Sequence, residues 1–236
     1  MMKAVILAGG LGTRLGELTK DMPKAMIPFA GRPFLYYVLR LLESQGIKDI
    51  IICIGYLGEQ IEGFFGDGRK LGVNIKYSQE NERLLGTGGA LKQAQHMLDS
   101  RFLVLNGDTY LPVDYHEIEE KHVRLGRKAL MVVYNNEVDT SVKNNVALDR
   151  NQMVVRYEKE STSPDLKYVE AGAVILQREV LDFIREGIPV SIEDGIYRHL
   201  IEQGGLAAHI TGQRFYDIGT PEQRQIFEKL VEKMAQ

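Results

Sequence analysis

The sequence predicts an α/β fold: a mostly parallel sheet flanked by helices, with an antiparallel extension in the second half. Three observations predict it. Short apolar runs alternate with helical patterns through the first half of the chain. Runs such as Ile50-Ile-Ile-Cys-Ile54 are apolar at every position, as strands covered on both faces must be. From about residue 128 the runs follow one another with little helix between them.

The first strand is expected at 3–8, where Lys3 leads into Ala4-Val-Ile-Leu-Ala8 and then glycine. A helix follows at 33–45. Pro33 suits its first position, Gly46 suits its exit, and Leu35, Val38, Leu39 and Leu42 form one stripe. Tyr36-Tyr37 reads as packing between this helix and the sheet. Further strands are expected at 49–54, 73–78 and 101–106, with helices at 58–65 and 88–98. Gly66-Asp67-Gly68 reads as a surface turn. Strands at 128–134, 145–149, 153–157 and 167–176 make the antiparallel extension. Helical patterns return at 178–186, 193–203 and 221–234. In the last, Ile226, Leu230, Val231 and Met234 share one face, so it is expected to dock. No stretch reads as a linker, repeat or low-complexity segment, so 1–236 is expected to be a single domain.

Composition narrows the function classes. The chain is 44% hydrophobic and 26% charged, with a net charge of −3 and both signs interspersed. No basic face or tail suggests nucleic acid, so phosphate binding should be local. The single cysteine, Cys53, cannot form an internal disulfide, which suits a reducing compartment. Met1-Met2-Lys3 precedes only a short apolar stretch, and no run approaches the ~20 residues of a membrane span. A cytoplasmic protein without a membrane partner is expected, monomeric or homodimeric. The five histidines show no metal-binding spacing.

Residues 9–24 carry the most information. They read Gly9-Gly10-Leu11-Gly12-Thr13-Arg14-Leu15 and close on Pro23-Lys24. A buried strand that ends in glycines turns backbone N–H groups toward an anion, and the missing Cβ lets phosphate oxygens approach. Arg14 and Lys24 add two cations. A dinucleotide fingerprint would need glycine where Leu15 stands, and the Gly-Lys-Ser/Thr of a Walker loop is absent. The stretch therefore reads as a triphosphate cradle. The strand at 101–106 ends similarly, at Asn106-Gly107-Asp108. Ligands of open α/β sheets bind outside the carboxyl ends of strands, so both ends should share one crevice.

Gly9 to Leu15 with Pro23-Lys24 resembles the signature of the sugar-phosphate nucleotidylyltransferases. These enzymes join a nucleoside triphosphate to a sugar 1-phosphate and release pyrophosphate. The resemblance runs from Lys3 to about Glu222. It implies a Rossmann-like sheet, an extension carrying part of the sugar site, a bare catalytic domain, and Mg2+ as cofactor.

Asp108 is costly at the end of a buried strand unless something satisfies it. Mg2+ would, since it takes one or two carboxylates with phosphate oxygens and waters; a turn or cap role is the alternative. The resemblance makes Asp217, in Phe215-Tyr-Asp-Ile-Gly-Thr-Pro221, the second metal ligand. Thr220 and Pro221 also read as N-cap and first residue of the last helix. The resemblance further places Lys159 on the sugar 1-phosphate and Glu158 on sugar hydroxyls, where charge alone reads a solvated hairpin end. Asn106, Glu170 and Gly172 complete the sugar side, Gly172 leaving room for the ring unless it is an ordinary strand glycine. Leu7, Ala8, Gly9, Gly10, Gly12, Thr13 and Gly107 are the expected nucleotide cradle. Gln79, Glu80, Gly86 and Thr87 are expected at base and ribose, with Thr87 also able to cap the helix beginning near Ala90. Asn144-Asn145 reads as a turn or a substrate loop.

The implied reaction is in-line attack by an anionic phosphate oxygen on the α-phosphorus, which needs no general base. Lys24 would stabilise the α-phosphate, Arg14 the departing phosphates, Lys159 would position the nucleophile, and Mg2+ on Asp108 and Asp217 would neutralise the phosphates. Within the family the chain is similar to the D-glycero-D-manno-heptose 1-phosphate guanylyltransferases, through Leu85-Gly-Thr-Gly-Gly89 and Leu105-Asn-Gly-Asp-Thr109. That implies GTP and a manno-heptose 1-phosphate. N-acetylmuramic acid 1-phosphate uridylyltransferases and mannose 1-phosphate guanylyltransferases are the alternatives. A nucleotide-sugar-binding regulatory subunit is the non-enzyme alternative, and the presence of Arg14, Lys24, Asp108, Lys159 and Asp217 together argues against it.

Overall fold

The computed structural model describes residues 2–80, 83–138 and 140–234; the side chain of Arg14 lies outside the described part. Seven strands make the central sheet: β1 (Lys3–Leu7), β2 (Asp49–Ile54), β3 (Asn74–Gln79), β4 (Arg101–Asn106), β5 (Ala129–Tyr134), β6 (Val169–Gln177) and β7 (Leu206–Thr211). Their spatial order is β7-β5-β6-β4-β1-β2-β3. Only β6 is antiparallel to its neighbours, β4 and β5. The mostly parallel α/β fold with added antiparallel strands is thus as expected. β1 pairs in parallel with β2 and β4, placing Leu7 opposite both Cys53 and Asn106. Chain order reverses here, so the loops leaving β1 and β4 diverge and open a crevice at their carboxyl ends.

Alternation along the strands sends side chains to two cores. Ala4 and Ile6 face one, with Leu39, Ile61, Ile118 and Phe227 from the helices α1 (Phe34–Ser44), α2 (Gly58–Phe65), α4 (Tyr115–Leu125) and α6 (Pro221–Met234). Val5 faces the other, with Leu91 and Leu200 from α3 (Gly86–Ala94) and α5 (Arg198–Glu202).

Several expectations are corrected. Of the four runs expected in the extension, those at 128–134 and 167–176 enter the central sheet, and Val146–Leu148 and Val154–Tyr157 form a separate antiparallel pair. β7 was not anticipated, because Ala207, Ala208 and His209 give a weak strand signal. Nor was α4, although Asp114 caps it, accepting from His116 N (2.8 Å) and Glu117 N (3.2 Å). Its exit at Gly126 has φ 59°, a second signal. Pro33 precedes α1 rather than opening it. The 178–186 pattern is a short 3-10 segment, Arg178–Phe183. α6 docks with Val231 buried and Leu230 packed as expected, but its other buried residues are Gln223 and Phe227, while Ile226 is 38% exposed and Met234 49%. The reason is an aromatic nest: Phe227 is fully buried with ring centroids of Phe34 at 4.7 Å, Phe29 at 4.9 Å and Tyr110 at 5.5 Å. Tyr37 joins it from α1, its ring 5.7 Å from Phe227 and its hydroxyl donating to Phe29 O at 2.7 Å.

Candidate active site

A cavity of about 390 Å³ opens at the carboxyl ends of β1 and β4. Its wall contains Leu7, Ala8, Gly9, Gly10, Gly12 and Thr13, then Lys24, Glu80, Gly86, Thr87, Asn106, Gly107, Asp108 and Lys159. Most residues expected at a nucleotide site are therefore gathered in one place. Gly107 has to be glycine, because a Cβ there would stand 2.6 Å from Leu7 O. Gly9 is crowded less strictly: an added Cβ would stand 2.8 Å from the end of the Glu80 side chain and 3.2 Å from Gly55 N. Gly10 by contrast faces open space, with nothing within 4 Å of an added Cβ. The backbone of Arg14 lies in the 3-10 segment Thr13–Thr19 behind that loop. A broader concavity of about 730 Å³ lies near Lys92, Arg101, Arg178 and Asp182, at the start of β4. None of the expected site residues lines it.

Lys24 and Asp108 meet in the cavity wall, Nζ to Oδ2 at 2.6 Å. Thr109 Oγ1 donates to the other carboxylate oxygen at 3.1 Å. Burial pushes the Asp108 carboxyl up, but the Lys24 charge and these hydrogen bonds outweigh it and hold the group below its usual range. Asp217 arrives through a second short pairing. Tyr216–Asp217 runs antiparallel to Thr109–Tyr110, with Asp217 opposite Thr109, and Ile218 N donates to Asp108 O at 3.2 Å. The two aspartates are thus backbone neighbours. Asp217 is not in the cavity wall itself. A methyl built on Gly219 would lie 3.0 Å from Asp217 Oδ1 and 3.4 Å from Lys24 Nζ, so both groups border Gly219.

The base side departs in detail. Glu80 N donates to Ile54 O (2.9 Å), and Leu85 N donates to Glu80 Oε1 (2.7 Å). Burial raises the Glu80 carboxyl. Gln79 lies outside the cavity wall, its amide donating to Gly55 O and Glu80 O at 3.4 and 3.3 Å. Thr87 does not cap α3, which already begins at Gly86; its hydroxyl accepts from Ile192 N at 2.8 Å. Gly88 N and Gly89 N both donate to Val190 O, at 3.0 and 3.1 Å. This glycine turn therefore receives the backbone of 188–192 as well as lining the cavity.

On the expected sugar side, Glu158 does not reach the cavity wall. Arg156 draws it to the surface in a two-pronged pair, at 2.7 and 3.0 Å. Glu170 is fixed by two phenols: Tyr157 Oη donates at 2.9 Å and Tyr197 Oη at 3.4 Å. Burial first, then the Glu193 charge, raises the Glu170 carboxyl. Gly172 leaves no vacant space for a ring. Its φ is +79°, and a Cβ would meet Thr109 Cγ2 at 2.9 Å. It permits the irregularity in β6 beside Thr109.

A family model described as Nucleotidyl transferase matches residues 3–231. The chain belongs to the nucleotidyl transferase family. It is 33% identical over 221 residues to the D-glycero-alpha-D-manno-heptose 1-phosphate guanylyltransferase of Campylobacter jejuni, covering 94% of this chain and 96% of that protein. It is also 33% identical over 222 residues to the mannose-1-phosphate guanylyltransferase of Mycobacterium tuberculosis, of which it spans 61%. Among solved structures, HddC from Yersinia pseudotuberculosis complexed with GMP-PN superposes with a TM-score of 0.82 at 30% identity, covering 98% of this chain and all of that one. The enzyme class expected from the sequence, a sugar-1-phosphate nucleotidyltransferase, is borne out.

Two residues of this nucleotidyl transferase escaped the sequence reading. Glu193 lies in the cavity wall and forms an ion pair with Lys159. No local pattern marks it. Gln223 is buried and donates through Nε2 to Asp217 Oδ2 at 2.7 Å, while Gly219 N donates to Oδ1 at 2.7 Å. A signal for Gln223 did exist: Thr220-Pro-Glu-Gln223 has capping-box spacing, and Gln223 N donates to Thr220 Oγ1 at 3.3 Å. Its side chain serves Asp217 instead of closing the box. Asn145, read as turn or substrate loop, is buried and accepts from Glu170 N at 2.8 Å, so it braces the sugar-side strand. Among the described residues, no helix is long and apolar enough to cross a membrane.

Proposed function

We propose that this nucleotidyl transferase moves GMP from GTP to D-glycero-α-D-manno-heptose 1-phosphate, releasing pyrophosphate. The observation carrying this reading is the convergence of Lys24, Asp108 and Lys159 on one cavity beside the Gly9–Thr13 loop. That arrangement offers backbone donors and two cations to a pair of phosphorylated substrates. The guanylyl and heptose assignments are supported by the Campylobacter relative, and the guanylyl assignment also by HddC, whose structure holds GMP-PN. Glu80, in the cavity wall, is compatible with guanine and equally with a ribose hydroxyl. A carboxylate only accepts, and guanine presents the N1–H and N2–H2 donors on one edge, whereas uracil presents a single N–H.

The donor set near Lys24 fits Mg2+. Among the described residues no three His, Cys, Asp or Glu side chains cluster as a metal cage. An ion here would take Asp108 and Asp217 and fill its shell with phosphate oxygens and water, which is how Mg2+ is commonly held. When bound, it neutralises charge on the phosphates. Asp217 is kept ready by Gly219 N and Gln223, which fix both its oxygens. Lys24 is held in the wall by Asp108 and turns to the α-phosphate. Arg14, from its place in the loop, takes the departing phosphates. Lys159 meets the sugar 1-phosphate, already an anion, so no side chain has to remove a proton.

The test is pyrophosphate release with Mg2+, measured for GTP, UTP, dTTP, CTP and ATP against manno-heptose, mannose, glucose and N-acetylmuramic acid 1-phosphates. The highest kcat/KM is expected for GTP with manno-heptose 1-phosphate. A higher value for another pair reassigns the substrates. Folded protein that releases none from any pair refutes the catalytic reading.

A further inference from the structure

We infer that Glu193 is a positioning residue for Lys159, and that the first turn of α3, Gly86–Gly89, serves to place it. The inference rests on the reading of Lys159 as the cation for the sugar 1-phosphate.

Lys159 follows the end of the strand Val154–Tyr157, in a stretch without regular structure, and its side chain is 57% exposed. A lysine there has many rotamers, so its head group is placed by what it meets. It meets Glu193, whose side chain is only 18% exposed and which shares the cavity wall. The segment leading into Glu193 is anchored from several directions. Val190 N donates to Leu85 O at 2.8 Å, Gly88 N and Gly89 N donate to Val190 O, and Ile192 N donates to Thr87 Oγ1. These bonds hold the segment just before Glu193 flat against the start of α3. They also explain the glycines. A Cβ on Gly86 would stand 2.7 Å from Val190 O, and one on Gly88 2.8 Å from Ser191 O. Gly88 is not in the cavity wall, so contact with a nucleotide does not account for it. The turn that borders the nucleotide cavity thus also supports the segment leading to the carboxylate that holds the sugar-phosphate lysine.

Glu170 sits close to the pair but is already engaged by Tyr157 and Tyr197. Glu193 is the carboxylate in the cavity wall that forms an ion pair with Lys159. The competing role, in which Glu193 binds sugar hydroxyls itself, makes a different prediction when Lys159 is removed.

The experiment is a double-mutant cycle of Glu193→Gln and Lys159→Met, reading KM for D-glycero-α-D-manno-heptose 1-phosphate, KM for GTP, kcat and thermal midpoint. E193Q is expected to raise the sugar-phosphate KM tenfold or more, with the GTP KM within twofold of wild type. In the Lys159→Met background the same change should add less than twofold, since the group it positions is gone. Glu193→Asp should recover part of the loss. A full, independent effect of E193Q in the Lys159→Met background overturns the inference, as does an unchanged sugar KM in E193Q. If E193Q does not fold, Gly88→Ala supplies the second arm, displacing Ser191 from outside the cavity. A raised sugar KM in G88A supports the inference and an unchanged one overturns it. Failure of the functional reading looks different: wild-type enzyme would then release no pyrophosphate with this sugar phosphate.

Discussion

Lys24 and Asp108 satisfy each other at 2.6 Å in a partly exposed wall. The Asp108 carboxyl lies below its ordinary range in the folded chain. An acid with a depressed folded pKa stabilises the fold above its unfolded pKa, about 3.9 for aspartate. That contribution is lost as pH falls through the folded value. Wild type should therefore exceed Asp108→Asn in stability at neutral pH, by on the order of 1 kcal/mol given solvent screening of a carboxylate more than a third exposed. Thermal melts from pH 7 downward should show the gap closing in acid; a gap that persists unchanged at pH 2 contradicts this. The same variant should lose a hundredfold or more in kcat, roughly 3 kcal/mol of transition-state stabilisation, while remaining folded. Glu80 lines the same cavity. Glu80→Gln replaces one acceptor oxygen by a donor, so the KM for GTP should rise roughly tenfold or more, and that for UTP should change far less. Equal changes for both nucleotides would remove Glu80 from base recognition.

At the scale of elements, α3 and α6 carry the site from opposite cores. The entry to α3 is a backbone-to-backbone contact that only glycine allows. Gly86 combines φ +71° with an added Cβ 2.7 Å from Val190 O. Gly86→Ala should cost about 1–3 kcal/mol in urea unfolding and lower activity with it. Gly10→Ala should unfold like wild type, because its Cβ meets nothing. Its effect should appear as weaker GTP binding by calorimetry. Equal stability losses in both variants would contradict this assignment of the two glycines. α6 acts through Phe227, the centre of the nest that includes Tyr110 and Tyr216. Those tyrosines are the direct partners in the short pairing that sets Asp217 beside Asp108. Phe227→Ala should cost about 3–5 kcal/mol of stability. The more conservative Phe227→Leu should fold yet lose activity, measured as kcat at saturating substrates, since the carboxylate pair loses its backing.

At the scale of the molecule, the crevice is a consequence of strand order. β1 lies between β2 and β4, so successive crossovers leave it in opposite directions and their loops part. β6, inserted antiparallel between β4 and β5, brings Glu170 and the bend at Gly172 to the same end of the sheet. The sequence by itself determined the alternation of strands and helices, the glycine turns ending β1 and β4, and the gathering of Lys24, Glu80 and Asp108 about those turns. These are encoded in windows of some ten residues, where burial period and turn preference speak directly. Tertiary structure alone decided that Lys159 meets Glu193, that Arg156 pulls Glu158 away, and that Thr109 fills the space beside Gly172. It also turned α6 onto Phe227 and set Gln223 against Asp217. Each of these joins side chains whose approach depends on a neighbour's reach or on strand order. A charge or an apolar face in sequence names what a residue can do, and the packing around it selects the partner.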